Sequence, residues 1–202
     1  MGITPQQFEQ LRSRLGGRRS TTLAAPVASQ TRAADSESVI LGIDPSLRGT
    51  GYGIIRSSRR QVESITHGTV KAGASWTRSR CLLNIAESLR AVIREHRPTV
   101  CVVEGLFFAQ NLQTALIMGE ARGASLVAAA EAGIEIFEIA PRKVKQAIVG
   151  YGAAQKSAVA KMVQRLLRLD EPPAPDAADA LALALAFAQE TGRFNLTPLK
   201  QI

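Results

Sequence analysis

The sequence predicts one α/β domain in which a mixed β-sheet is flanked by helices. From residue 39 onward, short apolar runs that end in turn residues are typical of buried strands. Three such segments come first, and later ones alternate with amphipathic stretches typical of helices. Strands followed by strand–helix alternation favour a single mixed sheet, and 202 residues are enough to build one full core.

Local signals set the bounds of the predicted elements. Pro98 ends the first helix of this domain, and Asn111 is a favourable N-cap for the second. The first three strands are separated by turn residues, which predicts a meander. We expect strands over 39–44, 50–56, 61–70, 100–104 and 134–139, and helices over 77–96, 111–132, 141–149, 155–169 and 177–190.

The first 37 residues differ in composition from the rest. They are rich in Ser, Thr, Ala, Arg and Gln and lack sustained periodicity, which predicts a disordered N-terminal extension. An Arg- and Ser-rich leader is also typical of organelle transit peptides, so organelle import is the alternative to the expected cytoplasmic location. The predicted domain spans 38–192, and 193–202 is expected to be a C-terminal tail.

The charge of the chain indicates a polyanionic partner. The formal net charge is +8, of which residues 1–37 contribute +2, so the predicted domain is itself basic. No apolar run approaches the roughly 20 residues of a membrane-spanning helix, which favours nucleic acid over a membrane as the partner. Cys81 and Cys101 lack metal-ligand spacing and are predicted to be free thiols.

Two acidic residues end predicted buried strands. Asp44 follows the apolar residues 40–43, and Glu104 ends the apolar run 100–104. A buried carboxylate costs several kcal/mol unless it is paired or binds a metal. Asp44 also fits a simple turn residue before Pro45, whereas Glu104 has no partner close in sequence.

Two further acids, Asp176 and Asp179, lie three residues apart at the start of a predicted Ala/Leu-rich helix. This spacing places them on one helix face, and the prolines before them prevent an earlier helix start. Taken alone, the pair fits a helix cap with a near capping box. Four acids at strand ends and a helix start of a basic protein nevertheless favour one shared site.

Four clustered carboxylates suit phosphodiester hydrolysis. In this chemistry two Mg²⁺ ions about 4 Å apart activate a water and stabilise the leaving oxygen. Mg²⁺ prefers carboxylate oxygens, and a basic surround is needed because the acids would repel phosphate. The candidate catalytic and metal-binding residues are therefore Asp44, Glu104, Asp176 and Asp179, with two Mg²⁺ expected and Mn²⁺ as an alternative ion.

Residues 141–169 hold seven Lys or Arg and no acid. A solvated helix face usually mixes charges, so this run favours a nucleic-acid contact. The turn at 150–152 leads into a helix start, where backbone N–H groups favour phosphate, although an ordinary packing corner would show the same pattern. The candidate DNA contacts in the run are Arg142, Lys145, Lys156 and Lys161. Phe107 and Phe108 are candidates for stacking on an unpaired base, and the residues alone do not choose between them.

Five stretches, taken together and in this order, resemble the RuvC family of Holliday-junction resolvases. The resemblance covers about residues 39–190. The first stretch alone is not specific, because actin-like ATPases and other RNase H-like proteins share it. The stretches are 40–53 (ILGIDPSLRGTGYG), 103–111 (VEGLFFAQN), 119–123 (GEARG), 144–146 (VKQ) and 176–182 (DAADALA).

The resemblance implies an RNase H-like fold and paired, symmetric, Mg²⁺-dependent nicks in four-way junction DNA during recombination and repair. It assigns the four acids to the family's catalytic positions, Lys145 and Lys156 to DNA contacts, and Phe107 to base stacking. It also implies a homodimer that works with the branch-migration proteins RuvA and RuvB. Small residues in helix 111–132 fit either a helix contact in such a dimer or tight packing on its own sheet.

The chain departs from the family pattern at Ser46, usually Gly, and at Gln110, often Lys; the leader is also unusual. The alternative function is another RNase H-like nuclease that acts on RNA or other branched DNA. A DNA-binding protein without activity would be favoured by a missing acid, and none is missing. An actin-like ATPase would need two such domains.

Overall fold

The computed structural model describes residues 37–58, 61–105, 111–192 and 199–202, which belong to one unit, Asp35–Ile202. The predicted disorder of the leader, the base-stacking role of Phe107 and the substitution at Gln110 therefore lie outside the described residues. The strands are β1 (Ser38–Asp44), β2 (Gly49–Ser57), β3 (Val62–Lys71), β4 (Val100–Glu104), β5 (Glu135–Ile139) and β6 (Lys200–Gln201). The helices are α1 (Arg78–His96), α2 (Leu112–Glu131), α3 (Pro141–Val149), α4 (Lys156–Leu167) and α5 (Pro175–Gly192).

The strands form one mixed sheet in the order β3-β2-β1-β4-β5-β6. β1 pairs antiparallel with β2 and parallel with β4, and β4 pairs parallel with β5. The predicted α/β fold with a mixed sheet flanked by helices is confirmed. Residues 200–201 pair with β5 at the sheet edge, although the sequence predicts a tail over 193–202. Two residues are too few for strand periodicity to reveal.

The helices cover both faces of the sheet. Alternate residues of a strand point to opposite faces, and the core divides accordingly. Leu41, Ile43 and Val103 pack with α1 and α2, whereas Ile40 and Val102 pack with α3, α4 and α5. Asp44 and Glu104 follow Ile40 and Val102 at even spacing along their strands. Their side chains therefore lie on the sheet face that α3–α5 cover.

Helix α5 packs very close to β1 and β2 because glycines lie beneath it. A β-carbon on Gly42 would lie 2.0 Å from the carbonyl oxygen of Ala180. A β-carbon on Gly51 would lie 2.0 Å from the carbonyl oxygen of Asp176. No side chain fits at such distances, so these glycines allow the first turns of α5 to reach the end of β1.

Side-chain caps fix the starts of the helices on the opposite face. Thr77 accepts a hydrogen bond from the Arg80 N–H at the start of α1. Asn111 accepts one from the Thr114 N–H at 2.7 Å, which confirms it as the N-cap of α2.

Both cysteines are buried free thiols, as predicted. Within the described ranges, no helix combines the length and apolarity needed to cross a membrane.

The close approach of α5 predicts that Gly42→Ala destabilises the fold. The added methyl would meet main-chain atoms of α5, and overpacking of this kind should lower the free energy of unfolding by at least about 2 kcal/mol. Urea unfolding followed by circular dichroism measures this change. Gly119→Ala in α2 is the control, because nothing lies within 4 Å of a β-carbon there; it should stabilise by up to about 1 kcal/mol. Equal stability of the two variants would contradict the close approach.

Candidate active site

Strand pairing brings Asp44 and Glu104 to the same edge of the sheet. β1 and β4 run parallel, and Ile43 pairs with Val103, one residue before each acid. Both side chains continue the register that faces α3–α5. Asp44 and Glu104 line one small pocket there, as predicted from their positions at the strand ends.

Helix α5 supplies the other two acids. It begins at Pro175, so Asp176 lies inside the first turn of the helix. Asp176 is therefore not the N-cap residue, which was the alternative reading of the sequence. Asp179 lines the same pocket as Asp44 and Glu104. Asp176 is not among the lining residues; its Oδ2 lies 3.0 Å from the position of a β-carbon on Gly49. The structure therefore brings three acids into one pocket and places the fourth at its border.

The acids repel one another and are poorly solvated. Burial raises the pKa of Asp44 from 3.8 to about 7, and the charges of Glu104, Asp179 and Asp176 add to this rise. The pKa of Glu104 is also raised, first by burial and then by Asp179. All four acids are thus electrostatically coupled, which distinguishes a site from unrelated caps and turns.

Two lysines enter this acidic pocket. Lys156, the first residue of α4, donates a hydrogen bond from Nζ to Oδ2 of Asp179 at 2.6 Å. This bond and the charges of the nearby acids raise the pKa of Lys156. Lys145 of α3 lines the pocket, and its charge helps to hold down the pKa of Glu104. The sequence indicates Lys156 as part of a phosphate site at a helix start. In the structure its ammonium group also contacts the acids of the pocket directly.

The donor set fits a hard divalent cation. Its oxygens are carboxylates, the ligands that Mg²⁺ and similar ions prefer. Burial first, and repulsion from the neighbouring acids second, keep the pKa of Asp44 near 7 although Lys156 lowers it. A bound cation would favour the ionised carboxylate. Among the described residues, no three ligating side chains already surround one point. Binding of a cation by three of these side chains would therefore require the carboxylates to move closer together.

The other predicted DNA contacts lie outside the pocket. Arg142 is exposed on α3, with its side chain beside Gly152, and Lys161 is exposed on α4. The N–H of Gly150 donates to Gln146 and ends α3, so it is not free for a phosphate. The start of α4 has no side-chain cap and no acid in its first turn.

The turn after Asp44 explains how Ser46 is accommodated. The Thr50 hydroxyl donates to the Ser46 carbonyl at 2.6 Å, and the Ser46 N–H donates to the Thr50 hydroxyl oxygen at 3.2 Å. Thr50 is fully buried, whereas Ser46 is exposed. The turn is held through the main chain of Ser46, so its side chain does not disturb it.

Sequence reasoning missed a charged network behind Glu104. Arg122 of α2 is 7% exposed and contacts the main-chain carbonyl of Glu104 and the carboxylate of Glu138. Lys200 of β6 also contacts Glu138. Each residue leaves a local signal, because Glu138 interrupts an apolar strand and Arg122 interrupts a helix of small residues. Neither signal shows that the two side chains meet.

A larger cleft of about 660 Å³ opens at the opposite end of β2. It is lined by Ser57, Val62, Leu167 and Gln189 among others, with Glu63 as its acid. It lacks the grouped carboxylates and lysines of the smaller pocket. The chemistry of the residues, not the size of the cavity, therefore identifies the candidate active site.

Comparison with known proteins agrees with this geometry. The family model "Crossover junction endodeoxyribonuclease RuvC" matches residues 40–187. A relative of that name from Akkermansia muciniphila is 44% identical over 161 residues, covering 80% of this chain and 93% of the relative. Another from Marinobacter nauticus is 47% identical over 150 residues, covering 74% of this chain and 85% of the relative.

A solved structure described as "T. thermophilus RuvC in complex with Holliday junction substrate" has the same arrangement of sheet and helices. The TM-score is 0.73 at 33% sequence identity, and the match covers 82% of this chain and 99% of that one. The resemblance carried by the motifs and the expected RNase H-like fold are both confirmed. The chain belongs to the RuvC family of crossover junction endodeoxyribonucleases.

Proposed function

We propose that this protein resolves Holliday junctions by paired, symmetric, metal-dependent nicks in DNA recombination and repair. The observation that carries the proposal is the pocket in which Asp44, Glu104 and Asp179 meet Lys145 and Lys156. Neighbouring carboxylates and ammonium groups suit the hydrolysis of a phosphodiester, because the carboxylates can bind metal ions and the ammonium groups can bind the phosphate at the bond that is cut. Family membership supplies the junction as the substrate class.

The proposed cofactor is Mg²⁺, with two ions per subunit and Mn²⁺ as a substitute. Asp44, Glu104 and Asp179 would hold the ions, with Asp176 at the border of the pocket. Bound ions of this kind lower the pKa of water and stabilise the leaving oxygen. The raised pKa of Asp44 is consistent with this assignment. Burial is its main cause and repulsion from the other acids adds to it, and a bound divalent cation would offset both by favouring the ionised carboxylate.

The proposed DNA surface extends from the pocket over α3 and α4. Lys145 and Lys156 would contact the phosphate next to the cut, and Arg142 and Lys161 would contact phosphates further along the strand. The positively charged groups of these four side chains all belong to helices on one face of the sheet. Helix α4 adds a start without a side-chain cap, which favours phosphate. Phe107 completes the proposal as the residue that stacks on an unpaired base.

We further propose that the protein acts as a homodimer. A four-way junction has two-fold symmetry, so a symmetric pair of subunits presents two active sites to two strands. Helix α2 exposes Leu112, Leu116 and Val127, and an exposed apolar surface of this kind suits a second copy of the chain. Family membership is the support for RuvA and RuvB as partners and for a cytoplasmic location.

The decisive test compares the wild type with Asp44→Asn on a synthetic four-way junction and on linear duplex. The wild type should make paired symmetric nicks in the junction alone, with Mg²⁺ or Mn²⁺ and not with EDTA. Asp44→Asn should keep the junction affinity and lose at least about 99% of the cleavage rate, because one metal ligand is lost. Gel analysis of end-labelled strands measures the cuts.

Two outcomes of this assay would contradict the proposal. Equal cutting of linear duplex or RNA would indicate another RNase H-like nuclease, and full cleavage by Asp44→Asn would remove Asp44 from the metal site. Light scattering of the uncleaved variant–junction complex gives the stoichiometry. Two protomers per junction are expected, and a complex with one protomer would refute the dimer.

The raised pKa of Asp44 predicts a pH-dependent stability of the metal-free protein. The folded state binds this proton more tightly than the unfolded state, so stability falls as pH rises from about 4 to about 7 and then levels off. The shift corresponds to no more than about 4 kcal/mol. Asp44→Asn should remove this loss, so in EDTA the variant should be the more stable protein at about pH 8, with a smaller gap at about pH 5. A pH-independent gap in urea unfolding would refute the raised pKa.

The proposed DNA surface predicts that Lys161→Ala weakens junction binding through loss of one phosphate contact. The slope of log Kd against log salt should fall by about one, with the cleavage pattern unchanged. Fluorescence anisotropy over a salt series measures this slope. Arg94→Ala, in the last turn of α1, is the matched control and should leave it unchanged. An unaltered slope for Lys161→Ala would exclude that residue from the DNA surface.

A further inference from the structure

Arg122 carries a buried charge directly behind the candidate active site. It lies on α2, on the face of the sheet opposite α5, and is 7% exposed. One guanidinium nitrogen donates to the main-chain carbonyl of Glu104, and another donates to Oε2 of Glu138 at 2.5 Å. Its contact with Glu104 is through the main chain, so the Glu104 carboxylate remains available to the pocket.

Glu138 is itself held at both oxygens. Lys200 of β6 lies 3.1 Å from Oε1, the oxygen that Arg122 does not contact. A β-carbon on Gly105 would lie 3.3 Å from Cγ of Glu138, so the chain after Glu104 passes close against this side chain. The N–H of Gly105 donates to the Ile139 carbonyl at 2.9 Å. The end of β4 is therefore enclosed by β5 and by the two ion pairs.

Stability alone does not account for this arrangement. Burial of two charges costs desolvation energy that their attraction often fails to recover, and well-packed apolar side chains commonly serve the fold equally well. What a guanidinium adds is direction, because its planar donors fix two acceptors in one geometry. The acceptors that it joins here are the last residue of β4 and a carboxylate on β5.

We propose that Arg122 is a positioning residue that holds the main chain of Glu104 so that its carboxylate is aimed into the metal-binding pocket. This inference rests on the proposed metal-dependent function, with Glu104 as a ligand.

The test measures metal binding by the full-length protein without DNA, by Mn²⁺ titration calorimetry, together with kcat and KM for junction cleavage. Arg122→Met removes the charge and both donated bonds, and Arg122→Lys keeps the charge but not the planar fork. Arg90→Lys is the matched control. Arg90 donates to Glu131 from two nitrogens at 2.6 and 3.0 Å, on the outer surface between α1 and α2.

Arg122→Met is expected to weaken Mn²⁺ binding and to lower kcat by about 10- to 100-fold, as loss of a group that orients a metal ligand does. KM should stay within about twofold, because the DNA surface is not altered. Arg122→Lys should recover part of both losses, and Arg90→Lys should match the wild type. Circular dichroism and thermal unfolding establish that each variant is folded.

Two results separate the failure of this inference from the failure of the proposed function. A wild type that binds no Mn²⁺ and cuts no junction would overturn the function and the inference with it. A wild type that does both, beside a folded Arg122→Met variant with unchanged Mn²⁺ affinity and kcat, would overturn the inference alone. If Arg122→Met does not fold, Arg122→Lys decides, and wild-type metal affinity and kcat in that variant would refute the positioning role.

Discussion

The close packing of α5 on the glycines of β1 and β2 is the constraint on which the rest of the site depends. Gly42 and Gly51 leave room for main-chain atoms of α5 where other residues would place a side chain. The first turns of the helix therefore reach the level of Asp44 at the strand end. Asp179 enters the pocket as a result, and a larger residue in place of Gly42 or Gly51 would move it away from the sheet acids.

This packing brings negatively charged carboxylates close together, and nearby cationic side chains neutralise them in part. Lys156 bonds to Asp179, and the charges of Lys145 and Arg122 offset part of the rise in the pKa of Glu104. The pKa of Asp44 still remains near 7. Burial is the first cause of this raised pKa, and repulsion among the acids adds to it. Ionisation of Asp44 therefore lowers the stability of the fold, and a bound cation would offset that loss, as is common where a site is built for function at the expense of stability.

Most of the fold followed from local patterns, and the acids at strand ends followed from the same patterns. The apolar runs before Asp44 and Glu104 placed both acids at strand ends. The last helix was predicted from 177, but α5 begins at Pro175 because proline is favourable in the first turn of a helix. Arg122 and Glu138 were missed because they meet through tertiary packing between a helix and a strand, which no periodicity encodes. The closeness of α5 was missed because a glycine in a strand does not reveal what packs against it.

The two strand-end acids are held by different means, which explains why one needs a buried charge. β1 continues into a turn that Thr50 fixes through the main chain of Ser46, and Asp44 pairs with Gly51 of β2. Glu104 pairs with Ile139 of β5, and its carbonyl is held by Arg122. The hydroxyl of Thr50, in the neighbouring strand β2, suffices at Asp44. At Glu104 the support comes from helix α2, in another layer of the fold. Arginine suits this role because its side chain is long enough to reach the sheet and carries two directed donors.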